Sequence, residues 1–391
     1  MLSAKIIWMN LTKTAELIKK SFRYLVIFAA SYYLLTAVIF PGSVALFKSL
    51  FAKETPPNTI YGQLDQLEFV RRKIENDNPQ YVLNTTNARL PANLPATMKV
   101  YKFKPPQYSY LAGKNAAADA AVLGFTDADL ISDLSGTVYK WRNSQTASYL
   151  TIDINTRVLN LTTNMDGKSL FFQPGSINKE NALKKAKEKL AAIYRFNDEL
   201  YPQGNQTVKL GRYSGNKLYE TDSPAEAQVA LIDFYRSIDK YPILGPNPSE
   251  GLMRMIVSNR SGKSDPLVNP IVEANYWEIN TATKAVYPII DVKEAWKMVT
   301  DNKAVIVQVT PKNANPFGTY TPVTVEKILI DNIYLAYYET PKFQTYLQPI
   351  YVFSGKYTTR GTEGGSITLY FPAITGEWSK SSQPQIPTPV K

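Results

Sequence analysis

Two tetrapeptides, Ser176-Ile177-Asn178-Lys179 and Ser237-Ile238-Asp239-Lys240, hold serine and lysine at S-x-x-K spacing. At a helix start this spacing can bring a lysine amine to a serine hydroxyl and activate it as a nucleophile. The S-D-N and K-T-G elements that complete such acyl-transfer sites are absent, so neither tetrapeptide defines a catalytic site. The chain also has no Cys and no His. That excludes thiol nucleophiles, disulfides, imidazole bases and metal centres built on nitrogen or sulfur ligands. Any catalysis would run on Asp, Glu, Lys, Tyr, Ser or Thr, and any metal site would be all-oxygen.

The remaining motifs fail on single positions. Gly262-Lys263-Ser264 and Gly167-Lys168-Ser169 end as a phosphate-binding loop ends, but Val257 and Thr162 stand where its first Gly must be. Asp127, Asp129 and Asp133 begin like a calcium loop, yet Ser132 fills the obligatory Gly position and no Glu closes the loop. Capping of a short helix accounts for these residues. Paired carboxylates for glycoside hydrolysis are defined by a distance in space, not by spacing along the chain. The sequence therefore predicts no catalytic residue, no cofactor and no metal site.

The elements around these residues begin with a membrane signal. From Tyr24 to Phe47 there is no charged residue. As a helix this run would reach ~36 Å, enough to cross a hydrocarbon core of ~30 Å. Ahead of it, Lys5, Lys13, Lys19, Lys20 and Arg23 stand against Glu16. This basic flank places the N-terminus in the cytoplasm and the rest of the chain outside. The competing reading is a cleaved signal peptide ending near Ser43-Val44-Ala45, but the long charged leader argues against it. Of the net charge of +11, the leader holds +4, which leaves +7 for the exterior. A basic exterior is attracted to an anionic membrane or wall polymer. Nucleic acid is not expected as a partner there.

With 391 residues, 44% hydrophobic content and 26 Tyr, the chain is long enough for more than one core and rich in strand-forming residues. Residues 48–60 read as a stiff linker and 379–391 as a disordered Pro-rich tail. Strands are expected at 98–103, 137–142, 148–161, 253–258 and 272–280, and an Ala-rich helix at 113–123. A second helix, Asn178 to Tyr194, has Asn178 as its cap and an apolar stripe of Leu183, Ala186, Leu190 and Ile193. Its lysines Lys179, Lys184, Lys185, Lys187 and Lys189 are candidates for contact with an anionic surface. A third helix is expected from Pro224 through the run PAEAQVALIDFYRSI, and a fourth, DVKEAWKMVT, at 291–300. Four strands follow at 304–309, 325–338, 345–353 and 366–372. The expected fold class is α+β: an N-terminal transmembrane helix, then two or three modules of antiparallel sheet packed with helices. The module boundaries fall at 61–175, 176–285 and 286–378, after a cytoplasmic leader at 1–23 and the span at 24–47.

The run Tyr287-Pro288-Ile289-Ile290-Asp291-Val292-Lys293-Glu294-Ala295-Trp296 resembles the entry of PepSY-like and YycI-like exported domains. The segments ILIDNIYLAYYE (328–339), YLQPIYVFSG (346–355) and SITLYFPAI (366–374) are similar to their continuation, and ENALKKAKEKL (180–190) to a PepSY-type lead helix. The resemblance covers about residues 176–378. It implies a helix laid on an antiparallel sheet and an extracytoplasmic binding or regulatory module, as YycI-type proteins act on a membrane sensor kinase. It supplies no catalytic residues. The chain is thus expected to be a membrane-anchored bacterial envelope protein that binds a neighbouring envelope protein without catalysis. The alternative is binding of an anionic wall or surface polymer, and the third reading is an envelope hydrolase.

Overall fold

The computed structural model describes Lys19, Val26, Tyr32 and Tyr33 of an N-terminal unit, Met1–Thr55, and most of a second unit, Pro56–Lys391. In the second unit it describes residues 56–380 apart from 77, 108, 132–135, 167–175, 197–199, 202–203, 263–264 and 276. The four residues of the first unit have helical backbone, and Val26, Tyr32 and Tyr33 expose their side chains. Most of the charge-free run 24–47, both Gly-Lys-Ser tripeptides beyond Gly262, Asp133 and the tail from 381 on lie outside the described residues.

The second unit is built mainly of strands. In chain order they are β1 (Gln80–Leu83), β2 (Thr97–Phe103), β3 (Val138–Asn143), β4 (Ser148–Asp153), β5 (Leu159–Thr163) and β6 (Gln206–Ser214). Next come β7 (Lys217–Glu220), β8 (Val229–Phe234), β9 (Arg236–Ile238), β10 (Tyr241–Leu244), β11 (Met253–Ser258) and β12 (Ile271–Ala274). The last five are β13 (Ile279–Pro288), β14 (Val305–Pro311), β15 (Lys327–Tyr338), β16 (Tyr346–Thr359) and β17 (Thr362–Pro372). The helices are α1 (Ala112–Val122), α2 (Lys179–Ala192) and α3 (Val292–Thr300).

This corrects the α+β expectation. The protein is mostly β-sheet, with two sheets, and among the described residues no helix is long and apolar enough to cross a membrane. The main error lies at PAEAQVALIDFYRSI, where a helix was expected after Pro224. Val229–Phe234 is instead a strand with all six residues buried. A run apolar at all but one position suits a strand covered on both faces as well as it suits a helix, and the neighbours β6 and β11 on its two sides decide for the strand.

The two sheets interleave along the chain. An eight-stranded sheet runs β3-β4-β5-β12-β11-β8-β6-β7, all antiparallel. A nine-stranded sheet takes β1 and β2 from the start of the unit, β9 and β10 from its middle and β13–β17 from its end. The chain leaves the eight-stranded sheet after β8, adds two strands to the nine-stranded one and returns at β11. Asn58, within the stretch expected as a stiff linker, pairs with Val286 of β13.

One face of the eight-stranded sheet is covered by α1 and α2. Trp141, Leu150, Leu161, Ile232, Met255 and Val272 point to that side and meet Ala182, Ala186 and Leu190 of α2. Asn178 caps α2 as expected, its side chain accepting from Asn181 N–H at 2.8 Å. In the nine-stranded sheet, α3 buries Ala295 and Val299, and Trp296 packs against Phe353 of β16 with ring centres 6.2 Å apart.

The long strand β16 pairs with β15 on one side from Gln348 to Thr358. On the other side it meets β2 at Tyr346 and Leu347, then β17 from Ile350 onward. Pro349 stands in the gap where the sheet forks, so its missing N–H falls where no ladder partner waits. Its carbonyl accepts from Ala373 N–H at 3.2 Å. Leu347, Tyr351 and Phe353 face the large core, whereas Ile350 and Val352 face a smaller one with Tyr338 and Tyr370. Gly355 ends the quoted segment at a close approach: a Cβ there would lie 1.9 Å from Leu329 O.

Candidate functional site

The face of the eight-stranded sheet away from the helices carries a polar row. Cross-strand register aligns Lys140, Thr151, Asn160, Glu273, Arg254, Asp233 and Thr207 on seven successive strands. Because side chains alternate along each strand, this row points opposite to the core-facing Trp141, Leu150, Leu161, Val272, Met255 and Ile232.

Arg254 is its centre. Nε lies 3.2 Å from Asp233 Oδ1 and Nη1 lies 3.3 Å from Glu250 Oε1. The first contact is a charge contact without hydrogen-bond alignment, since Arg254 Nε has no aligned acceptor. Asp233 Oδ1 also accepts from Gly251 N–H at 2.9 Å. Burial pushes the Asp233 carboxyl up, with Arg254 partly opposing the shift. Glu273 is pushed up in the same way, again by burial against the pull of Arg254. One guanidinium thus contacts the enclosed Asp233 and the half-exposed Glu250, and its charge also favours the ionised form of Glu273.

Beside this row a cleft of about 530 Å³ opens between the two sheets. The eight-stranded sheet contributes Lys209 of β6, Glu220 of β7, Arg254 of β11 and the turn holding Asn247, Ser249 and Glu250. The nine-stranded sheet contributes Gln308 and Thr310 of β14, Ser366 of β17 and the loop 314–323. That loop is tied down at both ends. Phe317 packs over Leu231 and Ile256, fitting above Gly211, where a Cβ would come within 2.6 Å of its ring. Asn315 Nδ2 donates to Leu218 O at 2.6 Å. Tyr320 donates to Lys73 O at 2.7 Å, and the Arg72 guanidinium lies 3.8 Å from the centre of its ring. Burial, more than any neighbouring charge, raises the Tyr320 hydroxyl, so it stays a neutral donor. Ser249, Thr319 and Thr321 are exposed at the mouth. The lining is therefore amide and hydroxyl groups with charges of both signs.

None of the five candidate lysines is in this cleft. Lys179 and Lys184 are exposed on α2, and Lys185 and Lys187 are half-buried. Lys189 has a structural role: Nζ donates to Val122 O at 2.8 Å, at the C-terminus of α1. Cation against that negative helix end is favourable, although burial lowers the pKa of its ammonium. The S-x-x-K lysines are also apart from the cleft. Lys179 is the first residue of α2, and Lys240 Nζ sits over the Tyr241 ring at 5.7 Å. Asp129 behaves as a cap, its Oδ2 accepting from the N–H and hydroxyl of Thr126, each at 2.8 Å. Among the described residues no cluster of acidic side chains could hold a metal ion.

The residues that build the cleft were not singled out from the sequence. Arg72, Arg254 and Tyr320 come from separate stretches, and only the register of strands distant in sequence assembles them. The usable signal was Asp233, a lone carboxylate inside the apolar run VALIDF, which demands a buried cationic partner.

No family model matches the chain, and no curated protein matches it. Among solved structures, it is similar to an uncharacterized protein from Eubacterium rectale, with 13% identity, coverage of 78% of this chain and 91% of that one, and a TM-score of 0.39.

Proposed function

We propose that the protein is a membrane-anchored, extracytoplasmic interaction protein of the bacterial envelope, which holds a segment of a neighbouring envelope protein in the cleft between its sheets and catalyses no reaction. The observation that carries this reading is the mixed lining of the cleft. Arg72, Lys209 and Arg254 face Glu220 and Glu250 among amides and hydroxyls. A polypeptide segment presents the same mixture of amides and both charges, whereas a purely anionic polymer would be repelled by the two glutamates. Against a hydrolytic role, Asp233 is 2% exposed and pinned by Arg254, so it cannot reach a substrate.

Anchoring rests on the charge-free run 24–47 behind its basic leader, with the N-terminus in the cytoplasm. The resemblance of residues 176–378 to PepSY-like and YycI-like domains points the same way. The test is site-specific photo-crosslinking in native membranes from Ser249 and Thr319 at the cleft mouth, with Lys184 on α2 as the control position. Capture of one membrane protein from both cleft positions and not from Lys184 is the expected result. Equal capture from all three, or recovery of lipid and self alone, would refute the reading.

A further inference from the structure

A second cavity, of about 400 Å³, lies elsewhere between the sheets, lined among others by Lys104, Asn155, Arg157, Tyr194, Trp277 and Glu278. Two of these residues occupy backbone positions that favour glycine. Arg157 has φ 62° in the turn between β4 and β5, where its N–H donates to Asp153 O at 2.7 Å. The left-handed residue that closes such a hairpin turn is usually Gly. Tyr194 has φ 51° directly after the end of α2. Its N–H bonds to Ala191 O at 3.0 Å and that of Arg195 to Leu190 O at 2.9 Å, the paired bonds of a glycine-type helix stop.

A bulky side chain at either position costs conformational energy that Gly would spare. The other positive-φ positions without Gly are Asn, Asp, Ala, Lys or Arg residues scattered over other turns. Here an arginine and a tyrosine at such positions flank one cavity. Strained backbone of this kind marks sites where the side chain itself is needed.

The free valences of the cavity say what it would take. The Arg157 side chain is half exposed and only loosely engaged, 3.5 Å from Ile193 O and 3.8 Å from Asp119 Oδ2. Lys104 stands across the mouth, paired with Glu278. Tyr194 is 65% exposed and offers an open aromatic face. A ligand that matches both side chains carries an anionic group for Arg157 and a ring whose face can lie on Tyr194. We infer that this cavity is a binding site for an anionic saccharide unit, independent of the protein-binding cleft.

The test is calorimetric titration of the full chain in detergent micelles with trigalacturonate, and with maltotriose and inorganic phosphate as controls. The informative variants are Arg157→Gly and Tyr194→Gly, because Gly suits both backbones. The site predicts that each variant keeps or raises the thermal midpoint while trigalacturonate affinity falls by about tenfold or more. Wild-type protein should bind maltotriose and phosphate each at least about tenfold more weakly than trigalacturonate. Four results overturn the inference: no binding of trigalacturonate, a control bound as tightly, wild-type affinity in both glycine variants, or a lowered midpoint that would make the two side chains structural.

Discussion

Arg236 and Glu339 form an ion pair sealed inside the molecule, their side chains 2% and 0% exposed. The guanidinium also donates twice to Trp277 O at 3.1 Å, and Glu339 accepts from Trp277 N–H at 2.9 Å. The pair thus ties β9 and the approach to β13, two places where the chain passes from the eight-stranded to the nine-stranded sheet, to the end of β15. Its geometry satisfies both charges, but only together.

Removing one partner strands the other charge in the interior. Glu339→Ala is therefore expected to destabilise the folded unit by ~3–5 kcal/mol. The double variant Arg236→Met/Glu339→Leu, which removes both charges, should recover most of that loss. Urea unfolding followed by tyrosine and tryptophan fluorescence measures both. Equal destabilisation by the single and double variants would show that the pair holds the crossover through specific geometry and not through charge balance.

The strand β16 makes a second prediction. Phe353→Ala empties a site against Trp296 and should cost ~3–5 kcal/mol. Gly355→Ala forces the backbone of β15 away and should cost about 1–3 kcal/mol or more. Pro349→Ala should change stability by less than about 1 kcal/mol, because the restored N–H falls at the fork of the sheet. Thermal unfolding of the three variants would order them.

Local patterning made part of this legible. The three helices and the strands from β14 to β17 follow from periodicity, caps and β-branched runs, whereas the single strand expected at 148–161 is broken by a turn into β4 and β5. What the sequence hid is non-local. The placement of β9 and β10 in the nine-stranded sheet, and the alignment of Arg254 between Asp233 and Glu273, depend on strand register set by partners far along the chain. The helix expected after Pro224 failed for the same reason, since only its neighbours on both sides make VALIDF a strand.

Among the α2 lysines, position separates surface from structure. Lys189→Met should cost about 1 kcal/mol, from the lost hydrogen bond and helix-end contact at Val122 O. Lys184→Met should stay within about 0.5 kcal/mol of wild type. Chemical denaturation of the two variants side by side checks the difference.

The polar row gives a pH dependence with a definite sign. Burial raises the folded pKa of Glu273 above its ordinary 4.5. A raised carboxyl supports the folded state fully below that ordinary value, and its contribution is lost as pH rises through the folded value. Glu273→Gln mimics the neutral form and leaves Arg254 paired to Asp233 and Glu250. The variant should therefore be more stable than wild type at pH 7. The gap should close as pH falls through the raised value and vanish below 4.5. Stability measured from pH 4 to 8 tests the sign, and a gap that widened on acidification would contradict the assignment.

The binding cleft itself is tested most directly by occluding it. With the membrane protein captured at Thr319 purified as the probe, the affinity of the full chain in lipid nanodiscs is measured for wild type, Ser249→Trp and Lys184→Glu. Ser249 is exposed at the mouth, so its replacement by Trp fills the entrance without disturbing the core. The account predicts that Ser249→Trp weakens binding by about tenfold or more while Lys184→Glu changes it by less than about twofold. Equal affinity for all three proteins would contradict it.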